Sequence, residues 1–379
     1  MYGTGLKLTA KRSFPPKKER KIAMFDYDKI PPSRQPEGTF PWMLQQAPRP
    51  LYPSDRPVTA RENYLKVLKG ETPYWMPIWL TDSQYCWPDV YAEHALFEGD
   101  GPDWWGQEWV FEPMSGGGMP KPGTRTIYDI ENWKNEVKRP DLKAVDWAGD
   151  AAIQVARYDP QRPIVFHCTE GIFERLHELM PMDETLLAFY TNPDEVKEFN
   201  EMMVDYKIEL LDIIFKYYDP IDFIVYGDDW GTQKSGFFSN AMFQEFIMPY
   251  TKQVWDHVHA CGKYVELHSC GLTQQYIDEF VEMGLDAWTP QPINDLDMLT
   301  EKYGDKLSLT VNIPDLEKAT DEATARKIVA DFVDKYAPRG HRVVANGLMN
   351  LANKDLMPAV LEELYYRSSE YYAKVREGK

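Results

Sequence analysis

From Pro163 onward the chain alternates short apolar runs with long amphipathic ones, and this alternation restricts the fold more than any other feature. The apolar runs are PIVFHC (163–168), DFIVYG (222–227), KYVELH (263–268), DAWTP (286–290), LSLTVNI (307–313) and RVVANG (342–347). Short runs with apolar residues on both faces are what buried strands of a parallel sheet look like. Between them, helical periodicity predicts helices over 172–190, 193–218, 240–260, 273–283, 296–303 and 322–336, with a closing helix over 355–376. Strands alternating with helices imply right-handed crossovers in one parallel sheet. YWMPIWL (74–80) makes a seventh strand, and an eighth is expected within 104–130. The expected fold is therefore α/β, a (β/α)8 TIM barrel. An open doubly wound sheet is the alternative, but its usual glycine fingerprint is missing.

Ahead of this rhythm the organisation changes. Residues 1–57 are rich in proline and poor in periodicity, which predicts an N-terminal arm, with the barrel domain occupying 58–379. Phe40, Trp42, Met43, Leu44, Leu51 and Tyr52 predict that the second half of the arm packs on the barrel or on a second subunit, so a homo-oligomer is among the expectations. Thr59 before ARENYLKVLK, with Gly70 behind it, predicts a capped helix. Residues 81–150 form an aromatic insertion, in which SGGGMPKPG is read as a turn between hairpin-like strands. It is too proline-rich for a phosphate-binding loop and no Lys-Ser or Lys-Thr helix start follows it.

Charge and composition exclude several classes. A net charge of −18 argues against a nucleic-acid partner, which needs clustered Lys and Arg. Basic residues do gather between Lys7 and Lys21, but no apolar run follows them as in a secretory signal. No stretch reaches the ~20 apolar residues of a membrane span. Four scattered cysteines do not make a disulfide framework. The expected protein is soluble and cytoplasmic, with reduced thiols.

Polar residues collect where the strands end, the place where α/β folds put their chemistry. Glu266, His268 and Cys270 alternate along one strand and so project to one face. Carboxylate, imidazole and thiolate are all zinc ligands, and a catalytic zinc site uses three of them. A buried thiol beside a hydrogen-bonded histidine explains the same spacing. Asp228 and Asp229 end the preceding strand as paired carboxylates able to hold a cation, orient a histidine or divide acid–base work; as turn or helix-capping residues they need no chemistry. His167, Tyr226, Trp230 and Asn346 are the candidate substrate contacts, and the Trp-rich stretch 104–109 is a candidate pocket wall. Cys86 and Cys261 carry no expected role.

GDDWGTQ, the helix start MFQEFIMPY and the strand end LHSCG resemble the uroporphyrinogen decarboxylase superfamily, and more closely its cobalamin-dependent methyltransferase branch. The resemblance runs from about Thr59 to the C-terminus. It implies a TIM barrel, a zinc ion, and methyl transfer between a small methyl donor and the cobalt of a corrinoid (cobalamin) carried by a partner protein. Two departures bear on the branch. The arginine-rich N-terminal motif by which the decarboxylases bind substrate carboxylates is absent, since residues 77–85 hold no arginine. The His-x-Cys pair of the thiol-methylating enzymes is matched by His268 and Cys270, but Asn346 stands where they carry a further cysteine near the last strand. The resemblance thus implies demethylation of a substrate such as an aromatic methyl ether. Transfer from methyl-corrinoid to tetrahydrofolate or a thiol, decarboxylation, and a non-catalytic tetrapyrrole-binding role are the alternatives.

Overall fold

The computed structural model describes residues 56–79, 81–93, 101–112, 117–340 and 342–378. The expected packing of the proline-rich arm falls outside these residues. The chain begins with α1 (Ala60–Leu68), β1 (Gln84–Cys86), the short strands β2 (Gly101–Pro102), β3 (Glu108–Glu112) and β4 (Gly117–Pro120), then α2 (Trp133–Glu136) and α3 (Trp147–Val155). The alternating part follows as β5 (Ile164–Cys168), α4 (Ile172–Leu179), α5 (Met182–Thr191), α6 (Pro193–Tyr217), β6 (Phe223–Gly227), α7 (Asn240–Phe246) and α8 (Met248–Ala260). It continues as β7 (Tyr264–Ser269), α9 (Ile277–Glu282), β8 (Ala287–Pro290), α10 (Leu296–Tyr303), β9 (Ser308–Asn312), α11 (Glu322–Tyr336), β10 (Val343–Asn346) and α12 (Met357–Arg376).

Seven parallel strands lie in the order β1-β5-β6-β7-β8-β9-β10. Each predicted strand from 163 onward is present. Two predicted helices are divided at prolines: α4 ends just before Pro181, and α8 begins with Pro249 in its first turn, where the missing N–H costs nothing.

The strand expected at 74–80 shrinks to one bridge, Ile78 to Ala345 on β10. Its cause is local. Pro77 has no N–H to give, and the Ile78 N–H goes to the Asp82 carboxylate at 3.0 Å, so the ladder cannot lengthen. The bridge nonetheless brings the sheet edges together. Ile78 holds β10, Gln84 opens β1, and six residues of chain span at most about 20 Å. The sheet is thus curled into a TIM-barrel-like form.

Among the described residues of 104–130, no strand joins the barrel as the expected eighth. The described residues there make a separate antiparallel sheet in the order β2-β3-β4; β3 and β4 pair as a hairpin, but Gly117–Pro120, expected within the turn, is its second strand.

One end of the barrel is stoppered by α1. Thr59 and Glu62 form a capping box at its start, and Tyr64 stacks on Phe223, the first residue of β6, with ring centroids 5.4 Å apart. Arg61 grips the Asp222 carboxylate at 2.9 Å, and that carboxylate also accepts the N–H of Ile164 at 2.9 Å. The strand N-termini are therefore closed, which leaves the C-terminal ends as the mouth. Strand burial follows suit: His167, His268, Asn312 and Asn346, all near strand C-termini, are half-buried where the residues before them are buried.

Candidate metal centre

The loops after β6 and β7 touch. Gly271 has φ +89°, and a Cβ there would lie 2.3 Å from the Gly231 carbonyl carbon, so only glycine permits the approach. This contact folds the end of β7 back over β6. The Cys270 N–H donates to Asp229 Oδ1 at 2.6 Å, and Cys270 Sγ lies 3.6 Å from His268 Nε2. Ligand atoms of Asp229, His268 and Cys270 all fall within 4.8 Å of one another, each residue half-buried.

The Sγ–Nε2 separation suits a zinc ion. Ligands at the usual Zn–S and Zn–N lengths around a tetrahedral ion stand about 3.5 Å apart, close to the separation of Sγ and Nε2. The thiol is held in its protonated form by burial and by the neighbouring Asp229 carboxylate. A cation at this point would reverse both influences and take the thiolate, releasing a proton.

Of the expected ligands, Glu266 is not in the group. It lies two residues deeper on β7, fully buried, where it accepts the Thr289 hydroxyl across the β7–β8 pair. Burial pushes its carboxyl up to about 7, against the hydrogen bonds from Thr289 and Trp79. Asp229, arriving from the neighbouring strand end, takes its place beside His268 and Cys270 in the group of possible ligands.

The adjacent aspartates are divided by geometry. Asp228 points away from the mouth and accepts the N–H groups of Glu174 (2.9 Å) and Phe173 (3.2 Å) at the start of α4. That helix has no side-chain cap of its own. Its N-cap is Gly171, where a Cβ would sit 2.2 Å from the Asp228 Cβ. Asp228 is thus a cap supplied from another strand end, and burial pushes its carboxyl up to about 7 despite those donors. Tyr226 and Trp230 share its parity and also face the helices. The Tyr226 ring meets Trp255 and its hydroxyl accepts the Ile172 N–H, while the Trp230 indole packs on Phe243 and Phe280. Neither expected substrate contact reaches the mouth.

His167 and Asn346 do. His167 Nε2 lies 3.6 Å from where a Gly227 Cβ would be, and Gly227 is paired with His268, so the two imidazoles flank a residue without a side chain. Tyr85 and Trp87 approach the His167 ring, centroids 6.2 and 5.7 Å away.

The Trp stretch 104–109 is not a pocket wall. Trp104, Trp105 and Trp109 are buried, and the indole N–H groups of Trp104 and Trp109 are tied to Glu93 and Asp103 at 2.9 and 3.0 Å. Arg175 binds Asp103 at 2.7 Å and Lys207 binds Glu93 at 3.0 Å, so a buried ionic network clamps the insertion onto α4 and α6.

Residues that sequence reasoning passed over lie on α4. Glu174 is raised well above the usual carboxylate range by burial, then by Asp229, and His177 is lowered to about 4 by burial, against the pull of Asp229. Their spacing of three on one helix face was readable, but nothing in the sequence pointed that face at Asp229. Glu170, between β5 and α4, takes φ +47°, a strained conformation for a residue with a side chain.

A sequence model of the uroporphyrinogen decarboxylase family matches residues 102–347, well over half of the chain. The chain belongs to that family. Among solved structures, a methyltransferase from Methanosarcina mazei superimposes with a TM-score of 0.55 at 14% identity, covering 83% of this chain and 99% of its own. A B12-independent methionine synthase from a Shewanella species gives 0.41 at 12% identity over 64% and 70%. At 14% identity the likeness to the Methanosarcina methyltransferase is one of fold, and the seven-stranded parallel sheet displays the TIM-barrel-like architecture. A comparison with curated proteins finds no match. Among the described residues no helix is long and apolar enough to cross a membrane.

Proposed function

We propose that this protein is a cytoplasmic methyltransferase that takes a methyl group from a small donor, an aromatic methyl ether, and delivers it to the cobalt of a corrinoid bound to a partner protein. The observation that carries this reading is the convergence of Asp229, His268 and Cys270 at the mouth of a barrel of this family. A zinc ion held by them would supply Lewis acidity at the ether oxygen, easing its departure as the methyl is lost.

The chain's own residues do the rest. Asp229 holds the Cys270 backbone and so fixes the thiol beside His268. Tyr85, Trp87 and His167 give the adjoining side of the mouth an aromatic edge on which a planar donor can lie. Orientation is the main task, because the cobalt nucleophile is already reactive and must be aligned with the methyl carbon. In the transfer the oxygen–methyl bond breaks with its electron pair staying on oxygen, while cobalt supplies both electrons of the new bond.

A mixed donor set also favours this direction over thiol methylation. One thiolate with a carboxylate and an imidazole leaves an ion more electron-poor than a set with two thiolates would.

The test is an assay of the full chain with a reduced corrinoid protein and a panel of donors, followed by cobalt absorbance and release of the phenol. Aromatic ethers are expected to react and Cys270→Ser to abolish the reaction. Zinc-loaded wild-type chain that methylates no corrinoid from any ether, yet demethylates methyl-corrinoid onto a thiol or a folate, would replace the reading with its reverse.

A further inference from the structure

Cys261 and its surroundings are not explained by the mouth. Cys261 caps the C-terminal end of α8, one turn beyond His257, and a separation of four residues puts both side chains on one face. Asp212 comes from α6, packed alongside. His257 Nε2 stands 2.9 Å from Asp212 Oδ1 and 3.8 Å from Cys261 Sγ, and the three ligand atoms lie within 4.8 Å of one another.

A helix-pairing hydrogen bond accounts for His257 and Asp212 only. It does not explain why the same imidazole nitrogen also faces a sulfur. With a proton on Nε2 committed to Asp212, the thiol meets a nitrogen with no lone pair to offer. A cation in place of that proton satisfies oxygen, nitrogen and sulfur together. Two further features favour it. The C-terminal pole of α8 carries partial negative charge from its last carbonyls, and the chain as a whole bears −18. Lys263 is the neighbouring positive group, and its ammonium is turned to Asp219 at 3.8 Å.

We propose that Asp212, His257 and Cys261 form a second zinc site, on the outer surface of the barrel, that ties the C-terminal half of α6 to the end of α8. Three protein ligands leave a fourth position for water, and the mixed hard and soft set suits zinc over calcium or magnesium. The site lies on α6 and α8, not on the strand ends, and has a structural role.

The experiment is equilibrium dialysis of the full chain against chelator-buffered zinc, with metal counted per folded chain. Wild type is expected to hold two equivalents, Cys261→Ser and His257→Ala one each, and Cys270→Ser with Cys261→Ser none. If the mouth does not bind zinc, wild type and Cys270→Ser both hold one, and Cys261→Ser still loses it; the surface site therefore stands or falls separately from the proposed function. Cobalt(II) gives a second readout: thiolate-to-cobalt absorption should persist in Cys270→Ser and vanish when Cys261→Ser is added. Cys270→Ser chain that binds no zinc, or that binds equally with and without Cys261→Ser, overturns the proposal. Because Cys261 is exposed and serine nearly isosteric, circular dichroism should confirm that the variant is folded.

Discussion

Asp229, His268 and Cys270 sit half-buried at the mouth, on two neighbouring strand ends held by a glycine contact; Asp212, His257 and Cys261 sit on the outside, on two packed helices, with the Asp212 side chain 59% exposed. The donor atoms are the same three. In both places one residue comes from one element and a His–Cys pair from the next. Spacing differs with the backbone: two residues apart on a strand and four apart on a helix each put the pair on one side. What separates the groups is surroundings. Around the mouth triad are Glu174 and His177, both with strongly displaced ionisation, and the aromatic rings beside His167. Around the outer triad are solvent and Lys263. Ligand chemistry alone therefore does not make a catalytic centre. A low-dielectric, shaped cavity gives an ion leverage over a bound molecule, whereas on a surface the same donors can only fasten helices.

The largest effect expected from breaking this contrast is in Cys270→Ser or His268→Ala. Either should remove the mouth ion and lower methyl transfer by at least about 10²-fold, the scale of losing a main electrostatic stabiliser. Cys261→Ser should leave turnover where it was. Metal analysis and the cobalt-methylation assay, run on all three, check this. Equal loss of activity in Cys261→Ser would erase the distinction between the sites.

Next come the two adjacent aspartates, which should differ in kind. Asp229→Asn keeps the shape but gives up the charge, and should weaken zinc binding roughly 10–100-fold, comparable with losing a partner that orients a ligand. Asp228→Ala instead removes the acceptor of two N–H groups at the start of α4, and should cost about 1–3 kcal/mol of stability. Zinc per folded molecule should then stay unchanged. Thermal unfolding and dialysis together separate the outcomes; the reverse pattern would mean that the carboxylates have exchanged roles.

How much of this was legible beforehand divides along the same line. Strands from 163 onward were visible because a parallel sheet buries both faces and leaves continuous apolar runs. His268 and Cys270 were visible because a strand's period of two is fixed. Asp229 in place of Glu266 was not, since the choice depends on a fold-back between loops that share no local signal. Nor was the outward turn of Tyr226, Asp228 and Trp230: parity fixes which residues face together, not which face is the lumen. The Trp stretch 104–109 misled because buried indoles tied to carboxylates have the same composition as a pocket wall. The outer triad was hidden because Asp212 lies 45 and 49 residues before His257 and Cys261 and meets them only through helix packing.

Glu266→Gln tests the correction at β7 with a smaller effect. Metal content should not change, because Glu266 lies outside the Asp229–His268–Cys270 group. In chelator-treated chain the effect is on pH dependence. Burial raises the folded carboxyl to about 7, above its ordinary 4.5, so the folded state keeps a proton that the unfolded state has lost. The stability this gives is complete below about 4.5 and declines as pH rises through about 7. Glu266→Gln has no proton to lose there and should show a flatter profile over that window in thermal unfolding. Unaltered pH dependence would mean that Glu266 is ionised in the folded chain.

The smallest effect belongs to the outer triad without metal. In chelator-treated protein, His257→Ala removes one hydrogen bond to a largely exposed carboxylate, and such pairs contribute only about 0.2–1 kcal/mol. Added zinc changes the expectation. The wild-type chain should gain thermal stability with rising zinc, because an ion that binds only the folded state stabilises it by mass action. In His257→Ala the part of that gain due to the outer site should disappear, leaving only what the mouth contributes. Measuring both proteins in the Cys270→Ser background removes the mouth and isolates the difference. A zinc-dependent shift that is the same with and without His257 in that background would leave the pair as a hydrogen bond between helices, and would confine metal chemistry to the barrel mouth.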